Sequence, residues 1–305
     1  MSILDKIVES TKARVERDKA KIDFNAMRKK AENLYKIQVE SSGEFSAESS
    51  LDSSGDSQVT FIKPPFAFEK ALDSGESKRD SAHKSSDSSD LVPQMRFICE
   101  VKKASPSKGI IAHDFPYLQI ALDYECAGAD CISCLTEPEF FKGADEYLSE
   151  IAKCVKIPVL RKDFIIDSYM IYQAKVLGAD CVLLISEILE AEEMREFCDI
   201  AHSLGLSVLV ESHSESALQN ALKTNARLIG VNNRDLRDFK VDLQTSIILR
   251  KLVPQDKIFV SESGIATHSD ISLLQSSGIN AVLIGETLMR EKDKTKALNE
   301  LKGCK

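Results

Sequence analysis

Residues 97–109 read FICEVKKASPSKG, an apolar strand that runs directly into a cationic loop. Side chains alternate between the two faces of a strand, so Glu100 and Lys102 point the same way. Two opposite charges on one face of an otherwise apolar strand are either a plain ion pair or part of a functional site. Which of the two applies depends on what the other strands carry at their ends.

Seven further apolar runs follow this strand at even spacing, with amphipathic segments between them. Counting the first, the eight runs begin near residues 97 (FICEVK), 131 (CISCL), 157 (IPVLRKD), 181 (CVLLI), 207 (SVLVES), 228 (LIGVNN), 258 (IFVSES) and 281 (AVLIG). Val/Ile/Leu-rich strands that alternate with helices indicate a parallel sheet covered by helices. Eight units predict an α/β fold of the (β/α)8 TIM-barrel type over residues 97–305. An open doubly wound sheet is the alternative, but SPSKG does not match its GxGxxG fingerprint.

The first 96 residues differ from the barrel in composition. Residues 1–40 predict an N-terminal helical extension, with Ser2 and Asp5 placed to form an N-terminal capping box. Residues 41–96 contain two Ser-rich tracts, about 41–58 and 74–90, which bury too little apolar surface to offset chain entropy. We therefore expect flexible insertions around an apolar segment, 64–72, that docks on the barrel. The whole chain is expected to be one domain, with the barrel as its catalytic part.

The composition excludes several classes of protein. The 305 residues are 43% hydrophobic and 29% charged, lack Trp and carry a net charge of −8, as expected for a soluble acidic protein. Without a basic block, nucleic acid is not an expected partner. Without a signal-peptide pattern or an apolar run of about 20 residues, we expect no membrane association and a cytoplasmic location.

The cysteines and histidines do not predict a metal site. Seven of the eight cysteines lie within apolar strands or helices, which predicts buried free thiols. Cys131 and Cys134 form a CxxC, but inside a strand rather than at a turn, so neither zinc nor a redox pair is expected. The five histidines show no pairing at ligand spacing.

Polar residues cluster where the predicted strands end. In such barrels the active site lies at the C-terminal ends of the strands. These ends carry Glu100 with Lys102, residues 136–143, Lys162 with Asp163, Ser186 with Glu187, Glu211, Asn232 with Arg234, residues 261–264, and Gly285 with Glu286. Three cations, Lys102, Lys162 and Arg234, meet at one mouth of a protein whose net charge is negative. This arrangement predicts an anionic ligand.

The last two strand ends carry glycines just before predicted helices, in SESGI (261–265) and IGET (284–287). Backbone N–H groups at a helix start can cradle a phosphate, and the loops after strands 7 and 8 are its usual place in these barrels. The candidates are Ser263, Gly264 and Gly285, although plain turn glycines would look the same. Since a carboxylate repels phosphate, we expect the Glu286 side chain to turn away while its N–H group binds.

Seven motifs resemble the indole-3-glycerol phosphate synthase family. In family order they are EVKKASPSKG (100–109), LTEPEFFKG (135–143), VLRKDFI (159–165), LVESHS (209–214), GVNNRDL (230–236), SESGI (261–265) and IGETLMR (284–290). The resemblance implies a carboxy-lyase of tryptophan biosynthesis. Its phosphorylated small-molecule substrate, 1-(2-carboxyphenylamino)-1-deoxyribulose 5-phosphate, becomes indole-3-glycerol phosphate with loss of CO2 and water. No cofactor is implied, and a monomer is expected because barrels of this family are often monomers.

The resemblance also implies catalytic roles. Lys162 is the general acid that protonates the substrate ketone, provided that burial and the nearby charge of Lys102 lower its pKa. Glu211 acts in the dehydration step, with either Lys102 or Lys162 as its partner. Glu100 orients Lys102 or accepts a substrate hydroxyl.

The remaining implied roles concern substrate binding. Asn232 and Arg234 hold the anthranilate carboxylate and the sugar hydroxyls, because the Arg fork binds carboxylates with two hydrogen bonds. Phe141 packs on the aromatic ring, and Ser105 and Ser263 contact the ligand or its phosphate. Two alternatives stay open: another sugar-phosphate barrel enzyme such as phosphoribosylanthranilate isomerase, and a non-catalytic phosphate-binding barrel.

Overall fold

The computed structural model describes residues 2–41, 47–51, 57–73, 94–235 and 239–304. Its N-terminal elements are α1 (Ile3–Lys21), α2 (Phe24–Ser41), β1 (Ala47–Leu51), β2 (Ser57–Phe61) and α3 (Ala67–Leu72). The predicted capping box between Ser2 and Asp5 opens α1. The sequence pattern is helical from residue 3 to about residue 38, but in the structure the helix is interrupted at residues 22 and 23. There Asp23 accepts hydrogen bonds from the N–H groups of Asn25 and Ala26 and so starts a second helix.

The first Ser-rich tract contains strands that the sequence analysis did not predict. β1 and β2 pair antiparallel, with Ala47 opposite Phe61. β2 ends in VTF, and these residue types favour strands. The strand was not predicted because the high Ser content of the tract indicated a flexible segment instead. The second tract, 74–90, lies outside the described residues, and the flexibility of both tracts stays a prediction.

Eight parallel strands close into the predicted barrel. After β3 (Arg96–Val101), a short antiparallel pair, β4 (Ala104–Ser105) and β5 (Gly109–Ile110), precedes β6 (Cys131–Leu135), β7 (Val159–Lys162), β8 (Cys181–Ile185), β9 (Ser207–Ser212), β10 (Leu228–Asn232), β11 (Ile258–Glu262) and β12 (Ala281–Ile284). β3 and β6 to β12 pair in sequence order, and β12 returns to β3 to close the ring. Helices cover the outside: α4 (Tyr117–Cys126), α5 (Asp145–Cys154), α6 (Ser168–Val176), α7 (Ala191–Ser203), α8 (Glu215–Ala221), α9 (Gln244–Arg250), α10 (His268–Ser276), α11 (Glu286–Arg290) and α12 (Lys294–Lys302).

Alternation along the strands produces two apolar layers. In β8, Val182 and Leu184 pack in the layer shared with the helices, whereas Leu183 and Ile185 pack inside the barrel. Since both faces are buried, the strands read as continuous apolar runs, which is why their positions were predictable.

The two N-terminal helical segments cover opposite ends of the barrel. α3 docks where β9 begins, because the Glu69 N–H group donates to Ser207 Oγ at 3.2 Å, and its Phe68 is fully buried in the inner layer. α1 lies over the other end, where Arg14 Nη2 is 2.7 Å from Asp163 Oδ1 just beyond β7. α1 therefore covers the end of the barrel at which the carboxyl ends of the strands lie.

Five cysteines are buried, as predicted, but Cys126 is exposed and Cys154 is partly exposed. Both lie at helix ends, where one side of the helix faces outward. Within the described part of the chain, no group of three or more His, Cys, Asp or Glu side chains could hold a metal ion. No helix among the described residues is both long and apolar enough to cross a membrane.

Candidate active site

A cavity of about 460 Å³ opens at the carboxyl ends of the strands. All twelve residues to which the sequence analysis gave a catalytic or binding role line it: Glu100, Lys102, Ser105, Phe141, Lys162, Glu211, Asn232, Arg234, Ser263, Gly264, Gly285 and Glu286. They come from seven different strand ends that the barrel brings to one edge. Ser186 and Glu187, which were also named at a strand end, do not line the cavity.

Lys162, at the end of β7, lies between two carboxylates in the middle of the cavity floor. Its Nζ atom donates to Glu211 Oε2 at 3.1 Å and makes a shorter contact with Glu262 Oε2. Asn232 donates to the other oxygen of Glu211 at 3.2 Å. Both carboxylates are at least 95% buried, so this cluster is shielded from solvent.

The expectation that Lys102 and burial lower the pKa of Lys162 is wrong for this arrangement. Burial alone would lower the pKa of Lys162, but Glu211, Glu262 and Glu100 outweigh it and raise the pKa above its usual range. The expected shift considered only the cations at the mouth, whereas the Lys162 ammonium also contacts Glu262. In the free site Lys162 is therefore an ammonium group.

Two carboxylates share this single ammonium, and their pKa values separate. Burial, reinforced by the nearby Glu211, raises the pKa of Glu262 to about 8. Burial also acts to raise the pKa of Glu211, but Lys162 and His213 outweigh it and lower that pKa. One of the pair is ionised at neutral pH while the other keeps a proton, as expected for like charges at short range.

Glu100 and Lys102 form the ion pair that strand alternation allowed, and they also line the cavity. Gly285 lies against this pair. A Cβ atom at Gly285 would lie 2.9 Å from Lys102 Nζ, closer than real Cβ atoms approach, and 3.0 Å from the Glu100 carboxyl carbon, a very tight contact. The two interpretations of Glu100 and Lys102 are thus compatible, and the absence of a side chain at Gly285 makes room for the pair.

The turn after β11 has an unusual backbone. Ser263 has a φ of 67° and Gly264 a φ of 81°. The left-handed region is unfavourable for serine, and such strain tends to occur at ligand sites. Asn233 fixes the turn because its side-chain amide donates to the Ser263 carbonyl at 3.1 Å.

The Glu286 carboxylate contacts three cations. Arg290 Nη2 lies at 3.0 Å, Arg234 Nη2 at 3.4 Å and Lys108 Nζ at 3.6 Å. Lys108 belongs to the loop between β4 and β5, so this contact joins the first strand end to the last. Arg234 therefore already has a carboxylate partner, in addition to the one expected from the ligand.

One side of the cavity is apolar. Ile3, Leu4 and Ile7 of α1 line it together with Phe141 and Phe164. The two rings lie 5.9 Å apart between centroids. Ser105 lies in β4 on the rim, with its Oγ atom 3.4 Å from Ser107 Oγ. The cavity therefore offers an apolar wall, a cationic wall and a carboxylate floor.

Comparison with known proteins decides between the alternatives that the sequence left open. A family model described as indole-3-glycerol phosphate synthase matches residues 67–301. The chain belongs to this family. It is 48% identical over 301 residues to the indole-3-glycerol phosphate synthase of Ruminiclostridium cellulolyticum, covering 99% of both chains. It is 47% identical over 300 residues to that of Endomicrobium trichonymphae, covering 98% of this chain and 99% of the relative.

Solved structures agree on the fold. KGPDC from Streptococcus mutans superposes with a TM-score of 0.54 at 12% identity, covering 69% of this chain and 96% of that one. A 3-hexulose-6-phosphate synthase superposes with a TM-score of 0.54 at 16% sequence identity, covering 68% of this chain and 99% of that one. At these identities the likeness concerns the barrel alone.

Two residues at this family member's site, Glu262 and His213, lie in the quoted motifs but were given no role from the sequence. Glu262 ends β11 directly opposite Asn232 in the register of β10, so strand pairing places the two side by side. His213 lies two residues after Glu211, and both ring nitrogens are within 3.5 Å of carboxylates. Strand geometry could have indicated both residues. Glu262 pairs with Asn232 across the sheet, and His213 is placed by alternation on the same face as Glu211.

Proposed function

We propose that the protein converts 1-(2-carboxyphenylamino)-1-deoxyribulose 5-phosphate into indole-3-glycerol phosphate, with loss of CO2 and water, in tryptophan biosynthesis. The observation that carries this proposal is the position of Lys162, an ammonium group held by Glu211 and Glu262 at the centre of a cavity with one apolar and one cationic wall. Ring closure onto a ketone needs such a proton donor at the ketone oxygen, and the apolar wall can hold the aromatic ring beside it.

The walls of the cavity suit the parts of this substrate. The aromatic ring would lie against Phe141 and the α1 side chains, and its carboxylate would take Arg234 and Asn232. The phosphate would bind the backbone N–H groups of the turn at Ser263, with the Lys102 ammonium nearby. Each charged group of the substrate thus meets a cation or an N–H donor that the described residues place on the cavity surface.

Lys162 would act first. As the arene carbon attacks the ketone carbon, the ketone oxygen gains charge and takes a proton from Lys162. An ammonium with a raised pKa can do this because the oxygen that forms is an alkoxide, a much stronger base. Loss of CO2 then returns the electron pair to the ring. Glu262, whose pKa burial raises to about 8, is in contact with Lys162 and would return a proton to it.

Dehydration would follow with Glu211 as the base. Burial opposes ionisation of Glu211, but Lys162 and His213 lower its pKa, so it is available as a carboxylate. The hydroxyl leaves as water after it receives a proton from Lys102 or Lys162 while Glu211 removes a proton from the new ring. Both lysines line the cavity.

A turnover assay tests the proposal. Wild-type protein is expected to form a product with indole fluorescence, and Lys162→Met is expected to abolish turnover while substrate still binds. Lys103→Met is a matched control, because Lys103 lies over the Phe115 ring at 5.9 Å and does not line the cavity. Normal turnover by Lys162→Met would refute the role of Lys162. Substrate binding by wild type without any indole product would refute the function and favour a phosphate-binding barrel.

We also propose that the protein acts as a cytoplasmic monomer without a cofactor. The support is that one barrel supplies every residue of the proposed site, so no second chain is needed to complete it. In the same proposal residues 1–40 and 41–96 are an extension and insertions of a single domain whose barrel spans 97–305. Light scattering during size-exclusion chromatography measures the mass directly, and a dimer would contradict the monomer.

A further inference from the structure

His213 lies between two carboxylates beside the proposed base. Its Nδ1 atom is 3.2 Å from Glu187 Oε2, and its Nε2 atom is 3.5 Å from Glu211 Oε1. Glu187 also accepts a hydrogen bond from the His213 backbone N–H group at 2.7 Å. One carboxylate therefore holds both the backbone and the ring of His213, and the ring is 89% buried.

The barrel register explains this arrangement. Ile185 is paired with Glu211 across β8 and β9. Glu187 lies two residues after Ile185, and His213 lies two residues after Glu211. Glu187 and His213 are therefore neighbours on the same face as Glu211. The Ser186 hydroxyl donates to the Glu211 carbonyl at 2.6 Å. This hydrogen bond holds the two segments together beyond Ile185 and Glu211, the last paired residues of β8 and β9. Glu187 and His213 thus lie just beyond the ends of two paired strands, and this pairing brings them close to Glu211.

The surroundings of His213 favour its charged form. Burial alone would lower the pKa of His213, but Glu187, Glu211 and Glu262 outweigh it and raise the pKa. His213 also lines a small polar cavity of about 220 Å³, whose other titratable side chains are Asp235, Lys240 and Asp242. Two of these three are acidic, so this side does not oppose a positive charge on the ring.

The Glu211 carboxylate has its contacts divided between its two oxygens. Oε2 accepts from Lys162, and Oε1 faces both Asn232 and His213. Lys162 changes its charge during ring closure in the proposed mechanism. His213 does not contact the substrate cavity, so it is the cation beside Glu211 that keeps its charge through that step.

We propose that His213 is a positioning residue for Glu211: as an imidazolium anchored by Glu187, it holds the Glu211 carboxylate ionised and directed towards the substrate. This inference rests on the proposed function, because it assigns Glu211 a role as base. His213 itself exchanges no proton with the substrate and touches no reacting atom.

The test compares pH profiles of His213→Asn, Glu187→Gln and the control His202→Asn. His202 is partly buried on α7 and lines neither cavity. An opposite charge at this range shifts a carboxyl pKa by roughly 1 to 3 units, so the acid limb of kcat in His213→Asn should move up by roughly 1 to 3 pH units. At high pH its kcat should return to the wild-type value, with KM changed little. Glu187→Gln should shift in the same direction by less.

A second measurement does not depend on turnover. The carboxyl carbon of Glu211, observed by NMR in protein with labelled glutamate, should titrate at higher pH in His213→Asn than in wild type. An unchanged Glu211 titration, or a kcat lowered equally at every pH, would overturn the positioning role and leave a structural one. A wild type that forms no indole would instead refute the proposed function, while the NMR titration would still test the contact between His213 and Glu211.

Discussion

Replacing Glu262 by glutamine should remove a fall in stability between pH 5 and pH 8. Burial raises the pKa of Glu262 from an ordinary value near 4.5 to about 8. In that window the unfolded chain has released its proton while the folded chain keeps it, so unfolding releases a proton and rising pH favours unfolding. The stabilisation is complete below about pH 4.5 and is lost as the pH rises towards 8.

The magnitude follows from this shift. Each pH unit in the window costs about 1.4 kcal/mol, so the wild type should lose about 4 kcal/mol between pH 5 and pH 8 through this residue. Glutamine has the shape of the protonated acid and does not titrate. Glu262→Gln should therefore match wild type at pH 5 and exceed its free energy of unfolding by up to about 4 kcal/mol at pH 8.

Urea unfolding of both proteins at the two pH values measures the difference directly. His213, whose pKa is raised against the opposing effect of burial, also loses stabilisation as the pH rises. Glu262 contributes to that raised pKa, so Glu262→Gln reduces this loss as well, in the same direction as the main effect. Glu196→Gln, a change at an exposed carboxylate on α7, should follow wild type at both values. If Glu262→Gln and wild type lose the same stability over this window, Glu262 is ionised throughout and the assignment of charges around Lys162 is wrong.

Three further outcomes are expected. Because Glu262 keeps a proton below about pH 8, substrate affinity measured by calorimetry should fall above that pH, and an affinity that is flat up to pH 9 would contradict this. Gly285→Ala should press on the ion pair of β3 at a cost of about 1 to 3 kcal/mol, seen as a fall of about 5- to 150-fold in kcat/KM without loss of fold by circular dichroism. Arg161→Met should destabilise the protein by about 3 to 5 kcal/mol in urea, because Arg161 is 1% exposed and its guanidinium pairs with the buried Asp163.

The barrel was predictable because its strands are buried on both faces. Each strand is then a continuous apolar run, and the eight runs match the eight strands. The N-terminal region was harder, since its structure depends on single side chains. Asp23 divides one apparent helix into two by capping the second, and the pattern of apolar residues does not change there.

The residues that line the site were also largely predictable, but the direction of the pKa shift of Lys162 was not. Residues after the strands of a closed barrel converge whatever their side chains are, so the strand ends named most of the polar cavity lining. They did not name the apolar wall, because α1 supplies Ile3, Leu4 and Ile7 from outside the barrel. The pKa of Lys162 depends instead on which charges lie within about 4 Å of it across the barrel. Spacing along the chain does not give these distances, so the contacts of Lys162 with Glu211 and Glu262, which reverse the expected shift in its pKa, were not predicted.

The three cations of the mouth are each paired with carboxylates: Lys102 with Glu100, Lys162 with Glu211 and Glu262, and Arg234 with Glu286. The anionic ligand inferred from these cations therefore enters a site whose positive charges are already balanced. Coulomb attraction to the cations cannot by itself explain selectivity for an anion, because the same carboxylates repel it. The proton on Glu262 removes one of these negative charges where they are most crowded. Binding of the substrate and protonation of the floor of the cavity are thus coupled, and the carboxylates that hold the cations in place do so without closing the site to a phosphate.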